Sequence, residues 1–311
     1  PAAFHQTKMR YCDMHCDALT TEGVVQVTRE NLVAGGCLLQ CFAAFVKEGG
    51  YSRFCALADD FDALCARAGY HKVTRACEIK EDAVNALLTA EGGAFETLEE
   101  LDGLYERGVR MAGPVWNTPT AAGFPNFPDY AGLCAGRVPP SAREGTRGLT
   151  AFGRQAVEYM FMRGMLVDVS HASDKLFWEV AAYKRPFVAS HSNAAALHDW
   201  ARNLTDAQLK AVADCGGVVG LNFCMDFLSD DKSAEGQRRA LLAHARHILS
   251  VAGEDTLALG SDFDGIPPNS CLPDPSHMPK FLGLLADALG SRVAEKVTAG
   301  NSVRVFAEVC G

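Results

Sequence analysis

The feature that most restricts the fold is a pattern repeated along the whole chain: a short apolar run, a polar residue at its end, then an amphipathic stretch. Eight such runs can be marked, at Met9–Met14, Gly36–Phe45, Ala86–Ala90, Val109–Val115, Leu166–Ser170, Phe187–Ser190, Val218–Phe223 and Leu257–Gly260. Strands that alternate with helices build a parallel sheet, and eight is the count that closes such a sheet into a barrel. A chain of 311 residues could be one large barrel or two ordinary domains, and its 48% hydrophobic content is ample for a buried core. The strand count points to one domain over residues 1–311, an α/β chain folded as a (β/α)8, TIM-like barrel.

The stretches between the runs carry helix signals. Thr205 followed three residues later by Gln208 is a capping box, opening a helix that turns Leu209, Val212 and Ala213 inward before Gly216 and Gly217 stop it. A second helix starts after Thr150, gathers Val157, Met160 and Phe161 on one face, and ends at Gly164, just before "MLVDVS". Two segments are too rich in Pro and Gly for regular structure, Thr118–Gly148 and Ile266–Pro279. Both follow strand ends, so in a barrel they are βα loops of the C-terminal rim, where active sites of that fold are built.

Charge narrows the function. The net charge is −9 and no Lys/Arg run occurs, so the electrostatic footprint of a nucleic-acid binder is missing. No apolar stretch suits a signal peptide or approaches the roughly 20 residues of a spanning helix; a soluble, cytoplasmic protein with no membrane anchor is expected. The twelve cysteines are scattered without a CxxC pair, which argues for reduced core residues rather than a redox motif or zinc ribbon.

The chemistry lies in the residues that end the runs. Strand alternation points Asp13, His15 and Asp17 of "RYCDMHCDALT" one way and Met14 and Cys16 the other. Burying two carboxylates and an imidazole without a cation costs several kcal/mol, so positive charge is expected nearby. Alone, the triplet reads equally well as a hydrogen-bonded strand end. Other runs repeat the device, however, ending in Glu91, His171, His191 and Asp262. With His15 and Asp17 they supply three imidazoles and three carboxylates to one rim, more than one catalytic zinc takes but suited to two ions bridged by a carboxylate.

The other histidines differ. His5 lies in the N-terminal tail, and His71, His198 and His277 fall in loops or at helix ends, as surface residues. His244 and His247 have the i,i+3 spacing of a joint ligand pair, but a helix surface is the commoner place for them. Arg202 in "DWARNLTD" is either a solvated loop residue or, on the rim, a fork suited to a substrate carboxylate.

Taken in order, "DMHCD", "TAEGG", "LVDVSHAS", "ASHSNAAAL", "RNLTDAQL", "GVVGLNF", "LGSDFDG" and "GNSVRVF" resemble the membrane (renal-type) dipeptidase family of zinc peptidases, within the amidohydrolase-like barrels. The resemblance runs from about Met9 to Phe306. It implies two Zn²⁺, with His15 and Asp17 on one ion, His171 and His191 on the other, and Glu91 across both. It further implies Asp262 as proton shuttle and Arg202 as holder of the substrate's terminal carboxylate. Two metals sharing a water lower its pKa toward neutrality and create a hydroxide nucleophile. Asp262 would take the proton and return it to the departing amine. Asp264, next but one, reads as a support of the loop.

One departure bears on the substrate. Relatives of the renal enzyme carry a histidine in "LTH" at the end of the fourth strand; here "GVRMAGPVWNTP" puts Trp116 there when counted from Arg110, or Pro114 when aligned on "NTP". Trp116 would donate its indole N–H to an oxyanion, wall a hydrophobic substrate pocket, or pack in the rim. The expected activity is hydrolysis of small dipeptides, including those with a C-terminal D-residue. The alternatives are a metal-dependent hydrolase of another small amide or lactam, and a catalytically weak metal-bearing binding protein. A homodimer is a family expectation. His/carboxylate sites also accept manganese or cobalt.

Overall fold

The computed structural model describes residues 9–311; His5 lies outside them. All eight apolar runs contain strands: β1 (Tyr11–Asp13), β2 (Cys37–Val46), β3 (Asn85–Gly92), β4 (Met111–Gly113), β5 (Leu166–Val167), β6 (Val188–Ala189), β7 (Val218–Leu221) and β8 (Leu257–Leu259). A two-residue strand, His71–Lys72, adds beside β3 and is too short to leave a periodic signal. Every pairing is parallel, in the ladders β1-β2-β3-β4-β5 and β6-β7-β8. A bridge from Asp168 to Val188 and the bond from Val169 N to Val188 O (2.8 Å) join β5 to β6. Met14 N donates to Leu259 O (2.9 Å) and Cys16 bridges Phe263, joining β8 to β1, so the ring closes.

Alternation along the strands sorts the side chains into two apolar clusters. One set, with Cys12, Met14, Leu39, Cys41, Leu87, Met111 and Leu166, fills the barrel together with Val305 and Phe306 from the C-terminal helix Asn301–Cys310. The other set, such as Phe42, Ala44 and Leu88, packs outward against helix residues including Leu57, Phe61, Leu101, Val157 and Met160. Filling the barrel base confines any cavity to the opposite, C-terminal rim. All twelve cysteines are free thiols, seven of them buried. No helix among the described residues is long and apolar enough to cross a membrane.

The helix punctuation acts as its chemistry dictates. Thr205 and Gln208 exchange capping bonds at the start of the helix Asp206–Asp214, and Thr150 caps Ala151–Arg163, which Gly164 ends in the left-handed region (φ 70°). The two Pro/Gly-rich segments are less irregular than composition implies. Asp129 caps a five-residue helix, Tyr130–Cys134, inside the first, and the second ends in a 3-10 turn, Pro275–His277, leading into the helix Met278–Leu289. Short turns need only a cap and a few hydrogen bonds, which average composition hides.

Two glycines hold the strands close enough for the rim to form. A Cβ on Gly220 would lie 1.9 Å from Ser190 O, and one on Gly260 would lie 1.7 Å from the same atom. Gly260→Ala therefore has to push Ser190 and His191, which follow β6, outward. We expect a loss of about 3 kcal/mol in urea unfolding, the upper range for overpacking; wild-type stability would mean that the barrel relaxes there without cost.

His244 corrects an expectation, because it is a core residue and not a surface one. It is 1% exposed, accepts from Ala194 N (3.1 Å) and pairs with Leu228 O (3.1 Å). His247, a turn away, instead meets Asp206 at 2.7 Å, so the two do not converge on an ion. Burial pushes the His244 pKa down to about 4 from 6.5. Below 6.5 the unfolded chain takes a proton that the folded one refuses until about pH 4. Stability from this group is thus complete above 6.5 and declines through that window, by about 3 kcal/mol. His244→Gln should flatten that part of the urea-midpoint-against-pH curve; an unchanged acid slope would remove His244 as its source.

Candidate metal centre

Past Asp13 the chain leaves the β1 ladder but stays extended, because Asp17 N donates to Phe263 O (2.9 Å) and Cys16 N to Cys41 O (3.2 Å). This carries His15 and Asp17 to the rim. Asp13 does not join them in the cluster. It is 1% exposed and accepts from Ser261 N (2.7 Å), Ser261 Oγ (2.6 Å) and Gln40 Nε2 (2.8 Å), neutral donors that do the work of a cation. It ties β1 to β2 and to the end of β8.

Glu91, near the end of β3, is 5% exposed and stands at the centre of the remaining groups. Its Oε1 lies 3.0 Å from His171 Nε2 and 3.6 Å from His191 Nε2, while its Oε2 lies 3.9 Å from His15 Nε2. His15 Nε2 is also 3.3 Å from Asp17 Oδ2 and 4.0 Å from Asp262 Oδ1. The ring of His15 stacks on that of His191 with centroids 3.8 Å apart. Three overlapping sets, His15–Asp17–Glu91, Glu91–His171–His191 and His15–His191–Asp262, each hold their ligand atoms within 4.8 Å of one another. All six predicted rim residues thus meet in one place.

Asp262 and Asp264 both adopt left-handed backbone (φ 65° and 68°), a conformation costly for a side-chain-bearing residue and one that marks functional loops. The turn aims Asp262 into the cluster, where its Oδ2 accepts from Asn222 Nδ2 (2.9 Å). Asp264 instead accepts from Gln26 N (2.6 Å) and Val27 N (3.1 Å), the loop-supporting part expected of it.

The electrostatics are those of a site built for cations. Burial, with Asp17, Asp168 and Asp262 nearby, pushes the Glu91 carboxyl up to about 8. Burial would lower His15, but Asp17 and Glu91 override it and raise the imidazole to about 10. Burial likewise lifts Asp262 to about 6. His171 and His191 are pushed well down by burial and stay neutral, as metal-binding imidazoles must. Asp17 Oδ1 is buried with no hydrogen-bond partner, an acceptor that a cation would satisfy. The donor set of imidazole nitrogens and carboxylate oxygens therefore fits zinc.

The supporting residues escaped the sequence reading. His171 Nδ1 bonds Asn117 Oδ1 (2.8 Å), and His191 Nδ1 bonds Ser190 Oγ (2.7 Å), whose hydroxyl donates to Asp168. An Nδ1–H held by an acceptor leaves the Nε2 lone pair facing the centre. A scan for polar residues at run ends, not restricted to His, Asp and Glu, would have found Asn222. Asn117 carries no comparable local signal.

Arg202 lies in the loop beyond β6. It is 2% exposed, donates to Ser170 O and to His191 O (3.2 Å), and lines the same cleft as Glu91 and His171. No carboxylate among the described residues lies within ion-pair distance of it. Trp116 lies across the cleft, its ring 4.8 Å from Phe45, 5.2 Å from Tyr130 and 6.2 Å from His171.

A closed parallel barrel that presents imidazoles and carboxylates from separate strands at its C-terminal rim defines a metal-dependent hydrolase. The chain belongs to the membrane dipeptidase family (peptidase family M19), whose model matches residues 5–310. A Klebsiella pneumoniae protein, known as an uncharacterized protein in the pqqA 5′ region, is 36% identical over 256 residues, 79% of this chain and 88% of its own. A Rhodobacter sphaeroides metallo peptidase, solved with a phosphinate mimic of the dipeptide L-Ala-D-Ala, superposes with a TM-score of 0.85 at 26% identity, covering 98% of this chain and 100% of that one. The metallo peptidase dipeptidase AC does so with a TM-score of 0.84 at 27% identity, over 98% and 99% of the two chains.

Proposed function

We propose that this metal-dependent dipeptidase works with two zinc ions, His15 and Asp17 on one, His171 and His191 on the other, and Glu91 across both. The observation that carries this is the division of Glu91, with one oxygen toward His171 and His191 and the other toward His15. Bound there, the ions supply Lewis acidity, acidifying a water and polarising a carbonyl. Asp262, lifted toward neutrality by burial and held by Asn222, takes a proton from the attacking water and hands it to the departing amine. Without that transfer the amide nitrogen leaves as a poor anion.

Arg202 anchors the substrate. A buried guanidinium with no carboxylate partner is costly, and the C-terminal carboxylate of a dipeptide supplies the missing charge in a fork geometry. This anchor reads the carboxylate and not the configuration of its α-carbon, which supports acceptance of a C-terminal D-residue like that of the mimic in the Rhodobacter protein. Elemental analysis after zinc saturation, followed by assay of a stereochemically varied dipeptide panel, tests the proposal. Two ions per chain and release of free amino acids support it; fewer than two ions overturns the binuclear part.

Trp116 favours one other reading. An indole cannot act as the histidine of the renal-type enzymes does, so turnover of acylated amino acids or lactams with none of any dipeptide would move the activity to another small amide. Silence on every amide would leave a binding protein.

A further inference from the structure

We infer that the N-terminal residue of the preferred substrate carries a bulky apolar side chain, aromatic or branched aliphatic, held in an aromatic lobe of Phe45, Trp116, Phe127, Tyr130 and Leu133. This rests on the dipeptidase proposal above and adds the side-chain class to it. Trp116 stands between Phe45 (4.8 Å) and Tyr130 (5.2 Å), and Tyr130 meets Phe127 at 6.1 Å, so the rings form one wall. Phe45, Trp116, Tyr130 and Leu133 are only half-buried, leaving apolar surface facing a cleft of about 490 Å³. That size encloses a small ligand.

The five residues of the lobe carry no charge. A charged side chain entering it would be desolvated without compensation, whereas an apolar one gains ring contacts. Ring order assigns the residue. Phe45 lies on β2, opposite β6, the strand that Arg202 follows in the closed ring of eight, and Trp116 from the loop after β4 packs on Phe45 at 4.8 Å, so the wall is anchored on the far side through Phe45. With the C-terminal carboxylate on Arg202 and the scissile carbonyl over Glu91, the N-terminal side chain is directed across the mouth to the aromatic wall.

The test uses the zinc-loaded full chain and kcat/KM for Phe-Gly, Leu-Gly, Gly-Gly, Asp-Gly, Lys-Gly, Gly-Phe and Gly-Leu. Phe-Gly and Leu-Gly should exceed Gly-Gly and both charged substrates by roughly 10- to 100-fold, with no such gain for Gly-Phe or Gly-Leu. In Phe45→Ala and Tyr130→Ala the ratio of Phe-Gly to Gly-Gly should fall toward one, mainly through KM; the ratio is the readout, whatever the absolute rate. Equal use of Asp-Gly, a gain confined to the C-terminal position, or an unchanged ratio in variants that still fold overturns the inference. If no dipeptide is cleaved, the dipeptidase proposal fails instead, and calorimetric binding of Phe-Gly against Asp-Gly still decides the lobe: tighter Phe-Gly upholds it and parity ends it.

Discussion

Asp262→Asn is expected to retain both zinc ions and to lose turnover by roughly 10²–10⁴-fold, the usual contribution of a positioned general acid-base group. The amide keeps the size of the carboxyl and its position near Asn222, but it can neither accept the proton of the attacking water nor return it to the leaving nitrogen. Because Asp262 lies within 4.0 Å of His15 and belongs to one of the three close ligand sets, metal content must be measured beside the rate. Loss of an ion would make Asp262 a ligand, and an undiminished rate would remove it from the chemistry. Steady-state kinetics with elemental analysis of the same preparation separates these outcomes.

Metal binding itself should be the largest lever on stability. The rim holds three carboxylates in a buried space, with Glu91 raised to about 8 and His15 to about 10. Both shifts favour the protonated group, and as ligands in the proposed site both would have to release their protons. Zinc loading at pH 7 is expected to release more than one proton per chain, and affinity should weaken steeply as pH falls. Saturation a thousandfold above the dissociation constant adds about 4 kcal/mol of stability, seen as a rise in Tm of several degrees. Glu91→Gln keeps the bulk and removes the charge proposed to bridge the ions. It should lower zinc content below two per chain, reduce turnover by about a thousandfold or more, and shrink the zinc-induced rise in Tm. Two tightly held ions in that variant would show that the bridge is dispensable.

Much of this molecule is written in local pattern. The eight strands stand where short apolar runs stand, and Thr150, Thr205 and Gly164 punctuate helices through bonds that span a few residues. The six rim residues were legible for the same reason, since each ends a run and parallel strands all end on one side of a barrel. Alternation points Asp13 the same way as His15 and Asp17, but it does not say that Ser261 and Gln40, from other segments of the chain, take up its carboxylate. His244 was misjudged because helix periodicity does not say which neighbours cover a face; the backbone groups of Ala194 and Leu228 do so here.

The sequence by itself determined the number of strands and the kinds of side chain delivered to the rim, because apolar period and terminal residue are properties of short segments. Only the tertiary structure decided which oxygen of Glu91 faces which histidines, that Ser190 and Asp168 steer His191 while Asn117 steers His171, and that Phe45 and Tyr130 wall Trp116. Those relations arise when the ring closes and strands far apart in the chain become neighbours, a non-local event that no short segment records.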